Sequence, residues 1–148
     1  MTLLKLNRKT EYALLALRYL SMPGCEVASV RSLAKHYALP EPLLAKVLQL
    51  LKRGGITSAT KGARGGYTLA RSLEDVQLME LMQLFDESTS LVGCMEEADG
   101  CQCHLQPSCE IKDGMKALNE LMTAQLRHLS VASFFDATPA TSPGLPSA

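Results

Sequence analysis

Apolar residues recur at helical spacing over residues 8–22, where Tyr12, Leu15, Tyr19 and Met22 fall three and four apart and Ala16 and Leu20 widen the stripe. Pro23-Gly24 stops this helix, and Cys25 in the turn reads as a small buried hydrophobe. Ser29 is placed to cap a second helix over 30–38, with Val30, Leu33, Ala34 and Tyr37 facing inward. A break follows at Leu39-Pro40. Pro42 then suits the first turn of a third helix, where its missing N–H costs nothing. That helix runs to Arg53, with Leu44, Val47, Leu48 and Leu51 on one face, and Gly54-Gly55 ends it. Lys46, Gln49, Lys52 and Arg53 lie off the apolar face.

A longer helix followed by two short ones joined by a tight turn is a helix-turn-helix pattern, whose last helix enters the major groove of DNA. An ordinary three-helix bundle has the same periodicity, and the next stretch separates the two. Ile56 to Thr60 is β-prone, Lys61-Gly-Ala-Arg-Gly-Gly66 is a basic turn, and Tyr67 to Leu69 is β-prone again. A hairpin directly after a recognition helix is a wing. Gly62, Gly65 and Gly66 permit close approach of backbone to another molecule. Lys61 and Arg64 at the tip are placed to reach phosphates or a minor groove.

Beyond the wing the pattern predicts an acidic helix over Leu73 to Glu87, then a second long helix from about Pro107. Ile111, Met115, Leu118, Leu121, Met122, Leu126 and Leu129 give the latter a wide apolar stripe that calls for a partner surface, most simply a second copy of itself. Val131 to Phe135 forms a last short turn, and the Ala-, Thr-, Pro-, Ser- and Gly-rich end suggests disorder. The expected organisation is a mainly α chain with one small β-hairpin. Residues 1–72 form a winged helix-turn-helix domain, 73–90 a connecting helix, 91–109 a cysteine loop, 110–135 a dimerisation helix and 136–148 a disordered tail.

The net charge of zero conceals an asymmetry. Residues 1–72 carry 12 Lys and Arg against 3 Asp and Glu, whereas residues 73–148 carry 3 against 12. A basic half of this kind fits a nucleic-acid surface. The chain has no Trp and few aromatics, which argues against a reader that stacks single-stranded bases. No uncharged apolar run is long enough to span a bilayer, and charges interrupt the first twenty residues, so a cytoplasmic protein is expected. No His/Asp/Ser or paired-carboxylate constellation points to an enzyme.

Four of the five cysteines fall within sixteen residues, as Cys94-x6-Cys101-x-Cys103-x5-Cys109. In a cytosolic chain of this length, clustered thiols lean towards metal or redox chemistry rather than structural disulfides. The spacing is not a pair of Cys-x2-Cys knuckles, so a zinc ribbon matches poorly. Thiolates on a glycine-containing loop closed by a helix start suit an iron–sulfur cluster, [2Fe–2S] or [4Fe–4S], and a disulfide switch is the competing reading. Cys109 near a helix N-terminus would have its thiolate favoured by the dipole.

These residues resemble the IscR, NsrR and RirA family of winged-helix transcriptional regulators over about residues 3–135. The resemblance rests on Thr10-Glu-Tyr-Ala-Leu14, the wing Lys61-Gly-Ala-Arg-Gly-Gly-Tyr-Thr-Leu-Ala70, and the loop into Cys109-Glu-Ile-Lys112. It implies a homodimer on palindromic promoter DNA, read as a repressor, with an iron–sulfur cluster on three loop cysteines. Leu91-Val-Gly-Cys94 and Cys103-His-Leu-Gln-Pro-Ser-Cys109 are similar to the nitric-oxide-sensing NsrR branch, which maps the ligands to Cys94, Cys103 and Cys109. The Cys94-to-Cys103 spacing is longer than in that branch, and Cys101 is an alternative to Cys103. In some family members an acidic residue of the partner's first helix supplies the fourth ligand, a position matched by Glu11. A carboxylate at a helix N-terminus is equally explained by the dipole. His104 is a further donor, expected to point away. Where the IscR branch has Glu and Gln early in the recognition helix this chain has Ala45 and Lys46, which implies a different operator.

Overall fold

The computed structural model describes residues 6–85 and 108–137. Three helices, α1 (Arg8–Leu20), α2 (Val30–Tyr37) and α3 (Glu41–Arg53), precede a hairpin of β1 (Thr57–Thr60) and β2 (Gly66–Leu69). A short helix, α4 (Leu78–Leu84), leads towards the cysteine segment. Beyond that segment come α5 (Lys112–His128) and α6 (Val131–Asp136). The described residues are thus mostly helical with one two-stranded antiparallel sheet, as expected. No helix among the described residues is long and apolar enough to cross a membrane.

Asn7 starts α1 by accepting the Lys9 N–H at 2.8 Å, and its amide nitrogen donates to the Phe85 carbonyl at 3.3 Å. The buried face of α1 is Ala13, Leu14, Ala16, Leu17 and Leu20; of the expected stripe Ala16 and Leu20 are buried, whereas Tyr12, Leu15, Tyr19 and Met22 are not. Tyr12, Leu15 and Tyr19 sit at its half-buried margins, and Met22 is exposed beyond the helix end. Nearly every α1 position from 12 to 20 is apolar, so several stripes fit the sequence. The choice among them is made by α3, β2 and α4, against which α1 packs. Helix α2 is capped as expected, Ser29 Oγ accepting the Ser32 N–H at 3.0 Å. It closes with Ala38 in the left-handed region (φ 54, ψ 44) and the Leu39 N–H returning to the Ala34 carbonyl at 2.9 Å. That turn aims α3, which opens at Glu41 with Pro42 in its first turn.

The hairpin pairs Thr57 with Leu69 and Thr60 with Gly66. A third extended point, Ala28, bonds both ways with Tyr67 at 2.8 and 2.9 Å, tying the wing to the turn before α2. The core beneath these elements is built from Leu17, Leu33, Leu44, Leu48, Leu51, Ile56, Val76, Leu81, Met82, Phe85 and Val131, all at most 2% exposed. Burial of this kind, at about 25 cal/mol per Å² of apolar surface, holds the basic half together and joins α4 and α6 to it.

Two expected helices are shorter than the pattern suggested. Residues 73–77 are not helical, because they give their backbone to the chain's far end. The Leu73 carbonyl accepts from Ala132 at 3.1 Å, the Val76 carbonyl from Val131 at 2.8 Å, and Leu78 N–H donates to Leu129 at 2.8 Å. The long second helix opens at Lys112 rather than near Pro107 and ends at His128, and the short turn expected over 131–135 is α6. Leu129 is extended (φ −85, ψ 109), and Ser130 caps α6 by accepting the Ser133 N–H at 3.1 Å. The Cys94, Cys101 and Cys103 part of the loop, and the tail beyond residue 137, lie outside the described residues.

Candidate nucleic-acid interface and cysteine site

Lys46, Gln49, Lys52 and Arg53 are all exposed on α3, on the side opposite the buried Leu44, Val47, Leu48 and Leu51. Ala45 is half-buried beside them. The helix that the turn aims outward therefore offers donors and cations over its second half, the chemistry that meets guanine edges and phosphates. Exposed Arg31 and Lys35 on α2, and Arg8 and Lys9 at the start of α1, add to the positive surface. Sequence reading had not singled out these four. Their signal was the charge imbalance itself, which has no address until the helices are folded.

At the wing, Lys61 and Arg64 are exposed at the tip. Gly62 has φ +113, a value side chains rarely adopt, and the Gly65 N–H closes the turn on the Gly62 carbonyl at 3.0 Å. A Cβ on Gly65 would run into the Thr60 carbonyl oxygen, and one on Gly66 would lie 2.6 Å from the Ala28 carbonyl oxygen. Both glycines thus have a reason within the wing itself, since they let its strands and Ala28 come together.

Arg71, just past the wing, is spoken for. Its Nη1 lies 2.6 Å from Glu80 Oε1, its Nη2 is 3.4 Å from Glu80 Oε2, and Nη2 also donates to the Asp75 carbonyl at 2.8 Å. The Glu80 hydrogen bond raises the guanidinium pKa above its ordinary value, outweighing the small opposing effect of burial. Both side chains are over a third exposed, so the pair contributes about 1 kcal/mol at most. Its use is positional: it fastens the wing's exit to α4, the helix that leads towards the cysteines.

Of the four clustered cysteines only Cys109 lies among the described residues, as a half-buried free thiol. The Lys112 N–H, the first of α5, bonds its carbonyl at 3.3 Å. A half-buried free thiol just ahead of α5 is a soft donor of the kind that fits one ligand position of a cluster. Among the described residues there is no group of three or more His, Cys, Asp or Glu side chains that could hold a metal. Glu11 is exposed in the first turn of α1 and makes no ion pair among the described residues. Cys25 is a half-buried free thiol packed against the core, less buried than expected.

Comparisons with known proteins converge on this arrangement. The family described as Rrf2, iron-dependent transcriptional regulator, matches residues 6–137. A protein of Aquifex aeolicus described as an HTH-type transcriptional regulator is 28% identical over 131 residues, covering 80% of this chain and 91% of that one. The structure of CymR, the global cysteine regulator of B. subtilis, superposes with a TM-score of 0.68 at 18% identity, covering 91% of this chain and 98% of that one. T. potens IscR gives 0.64 at 22% identity, covering 93% and 91%. At these identities the two structures establish the fold, a winged helix with a long C-terminal helix. With the family match spanning almost the whole chain, this is a transcriptional regulator rather than an enzyme, and it belongs to the Rrf2 family.

Proposed function

We propose that the protein is a homodimer that binds a palindromic promoter site as a repressor, with operator affinity controlled by an iron–sulfur cluster on the loop between α4 and α5. The observation that carries this reading is the pair of elements that flank the loop in the chain. The loop joins α4, tied to the wing through Arg71–Glu80, to α5, whose apolar face is uncovered. Ile111 is 62% exposed, Leu118 48%, Leu121 60% and Met122 39%, and no residue of α5 is buried. A second copy packed through α5 covers that face and sets the distance between two recognition helices. Half-sites on DNA lie about 34–36 Å apart, so a change in that distance costs specific affinity.

Cys94, Cys103 and Cys109 are the proposed ligands, with Cys101 as the alternative to Cys103 and the partner's Glu11 as the fourth. When bound, the cluster supplies an acid-labile, nitric-oxide-, iron- and oxygen-sensitive link. The residues of this chain supply the anchoring: Cys109 holds the loop to the start of α5, and Glu11 sits on the helix that Asn7 ties to Phe85. Lys46, Gln49, Lys52 and Arg53 read the major groove, and Lys61, Arg64, Gly65 and Gly66 bring the wing to the backbone. The setting is cytoplasmic.

The likeness in fold to a regulator whose structure is described as an oxidized form, Staphylococcus aureus CymR, supports a second reading, in which the same DNA reader is switched by thiol oxidation without a cluster. Anaerobic purification separates the two. The first expects a brown protein containing iron and sulfide, with the colour lost in Cys109→Ala. A colourless, iron-free protein whose DNA binding answers only to thiol oxidants establishes the second.

A further inference from the structure

A cleft of about 390 Å³ opens on the side of the domain where α1 ends, β2 ends and α6 crosses. Its walls carry Arg18, Glu74 and Asp136, and apolar contacts come from Leu69, Leu73 and Phe135 among others. Neither DNA reading nor dimerisation uses this arrangement. The cleft is shallow and open to solvent, Arg18, Glu74 and Asp136 are exposed, and its volume lies at the small end of small-molecule sites.

The charges in the cleft are mutually unsatisfied. Arg18 forms no ion pair among the described residues, and neither does Glu74 or Asp136, although both signs line one concavity. The Arg18 guanidinium instead lies 5.4 Å from the Phe135 ring centroid, a cation–π contact that holds it against the wall. We infer that this cleft binds a free α-amino acid with an apolar side chain, Arg18 taking the carboxylate and Glu74 or Asp136 the ammonium.

The chemistry selects against the simpler classes of ligand. A guanidinium offers paired donors that match a carboxylate, but two nearby carboxylates oppose a ligand that is only anionic. A ligand that is only cationic meets Arg18. A neutral apolar ligand would desolvate three charged groups and pair none of them. A zwitterion offers both signs at once, and its side chain is left to pack on Leu69, Leu73 and Phe135. Because the cleft joins the end of the wing to α6, an occupant bridges the DNA reader and the C-terminal helices, so binding is expected to alter operator affinity as well.

The inference is independent of the cluster and is tested on the full-length protein by calorimetric titration with L-leucine, L-valine, L-methionine and L-phenylalanine to millimolar concentrations. Saturable binding of at least one is expected. Removing either charge from that ligand, as its N-acetyl derivative or its amide, should weaken it by about tenfold or more, roughly 1.4 kcal/mol. Arg18→Gln and the pair Glu74→Gln/Asp136→Asn should each do the same, while all variants keep the parent's urea midpoint, since these side chains are outside the core. Absence of saturable binding for all four amino acids overturns the inference. So does binding that is indifferent to Arg18→Gln or to the ligand's charges.

Discussion

Replacing Leu121 with glutamate should separate the dimer without harming the fold. The exposed fractions of Ile111 (62%), Leu118 (48%), Leu121 (60%) and Met122 (39%) together amount to about two whole side chains. Full burial of a large apolar side chain is worth about 1.5–3 kcal/mol, so this face offers about 3–6 kcal/mol per protomer and twice that in a symmetric pair. That is of the size needed to offset the cost of association, about 4–15 kcal/mol. Leu121 alone accounts for about 1–2 kcal/mol per protomer, hence about 2–4 kcal/mol per dimer, before the cost of desolvating the new carboxylate. The dimer dissociation constant should therefore rise at least about thirtyfold. Glutamate is as good a helix former as leucine, and position 121 is exposed in the protomer, so protomer stability should move by no more than about 0.5 kcal/mol. Sedimentation velocity over a dilution series reads the first quantity and urea unfolding at low protein concentration the second. A dissociation constant changed by less than threefold would refute α5 as the dimer surface.

Three further outcomes are expected from the reader. Gly66→Ala places a Cβ 2.6 Å from the Ala28 carbonyl oxygen and breaks the two Ala28–Tyr67 hydrogen bonds. At about 1 kcal/mol net for each bond, urea unfolding should show a loss of about 2 kcal/mol, and a loss below about 0.5 would mean that the wing docks some other way. Ala38→Gly relieves a left-handed alanine, a penalty of about 1–2 kcal/mol, against an entropic cost of about 0.5–1 for glycine. Net stabilisation of about 0.5–1 kcal/mol should appear in the same assay, and any destabilisation contradicts the turn geometry. Arg64→Ala should weaken DNA binding and lower the slope of log affinity against log salt by about one, because one phosphate contact is lost. An unchanged slope would place the wing away from DNA.

The reader was legible because its boundaries are written in local chemistry. Ser29 caps α2, Pro42 opens α3, Gly62 and Gly65 shape the wing, and each acts on neighbours a few residues away. The face of α1 was not legible, since apolar residues surround that helix and only distant elements choose among them. Residues 73–77 looked helical because their acidic and apolar pattern says nothing of residues 129–132, fifty positions on, which take their backbone hydrogen bonds. The Arg71–Glu80 tie was hidden for a related reason: an arginine in a basic segment reads as a DNA contact until its partner is seen. The end of the long helix had a local signal, Ser130 ahead of Val131, and the short turn expected over 131–135 is α6. For the site, the exposed cations of α3 and the wing tip were foreseen. The ligand assignments of Cys94, Cys101 and Cys103 fall on residues outside those described.

The most direct test of loop-controlled DNA binding is a fluorescence-anisotropy titration of a palindromic promoter fragment with anaerobically purified protein, before and after stoichiometric nitric oxide. The expected result is a saturable complex for the untreated protein and an affinity lowered about tenfold or more after treatment, with the cysteine-free loop variant weak and indifferent throughout. Equal affinity before and after, in a protein shown to contain iron and sulfide, would contradict control of the reader by the cysteine loop.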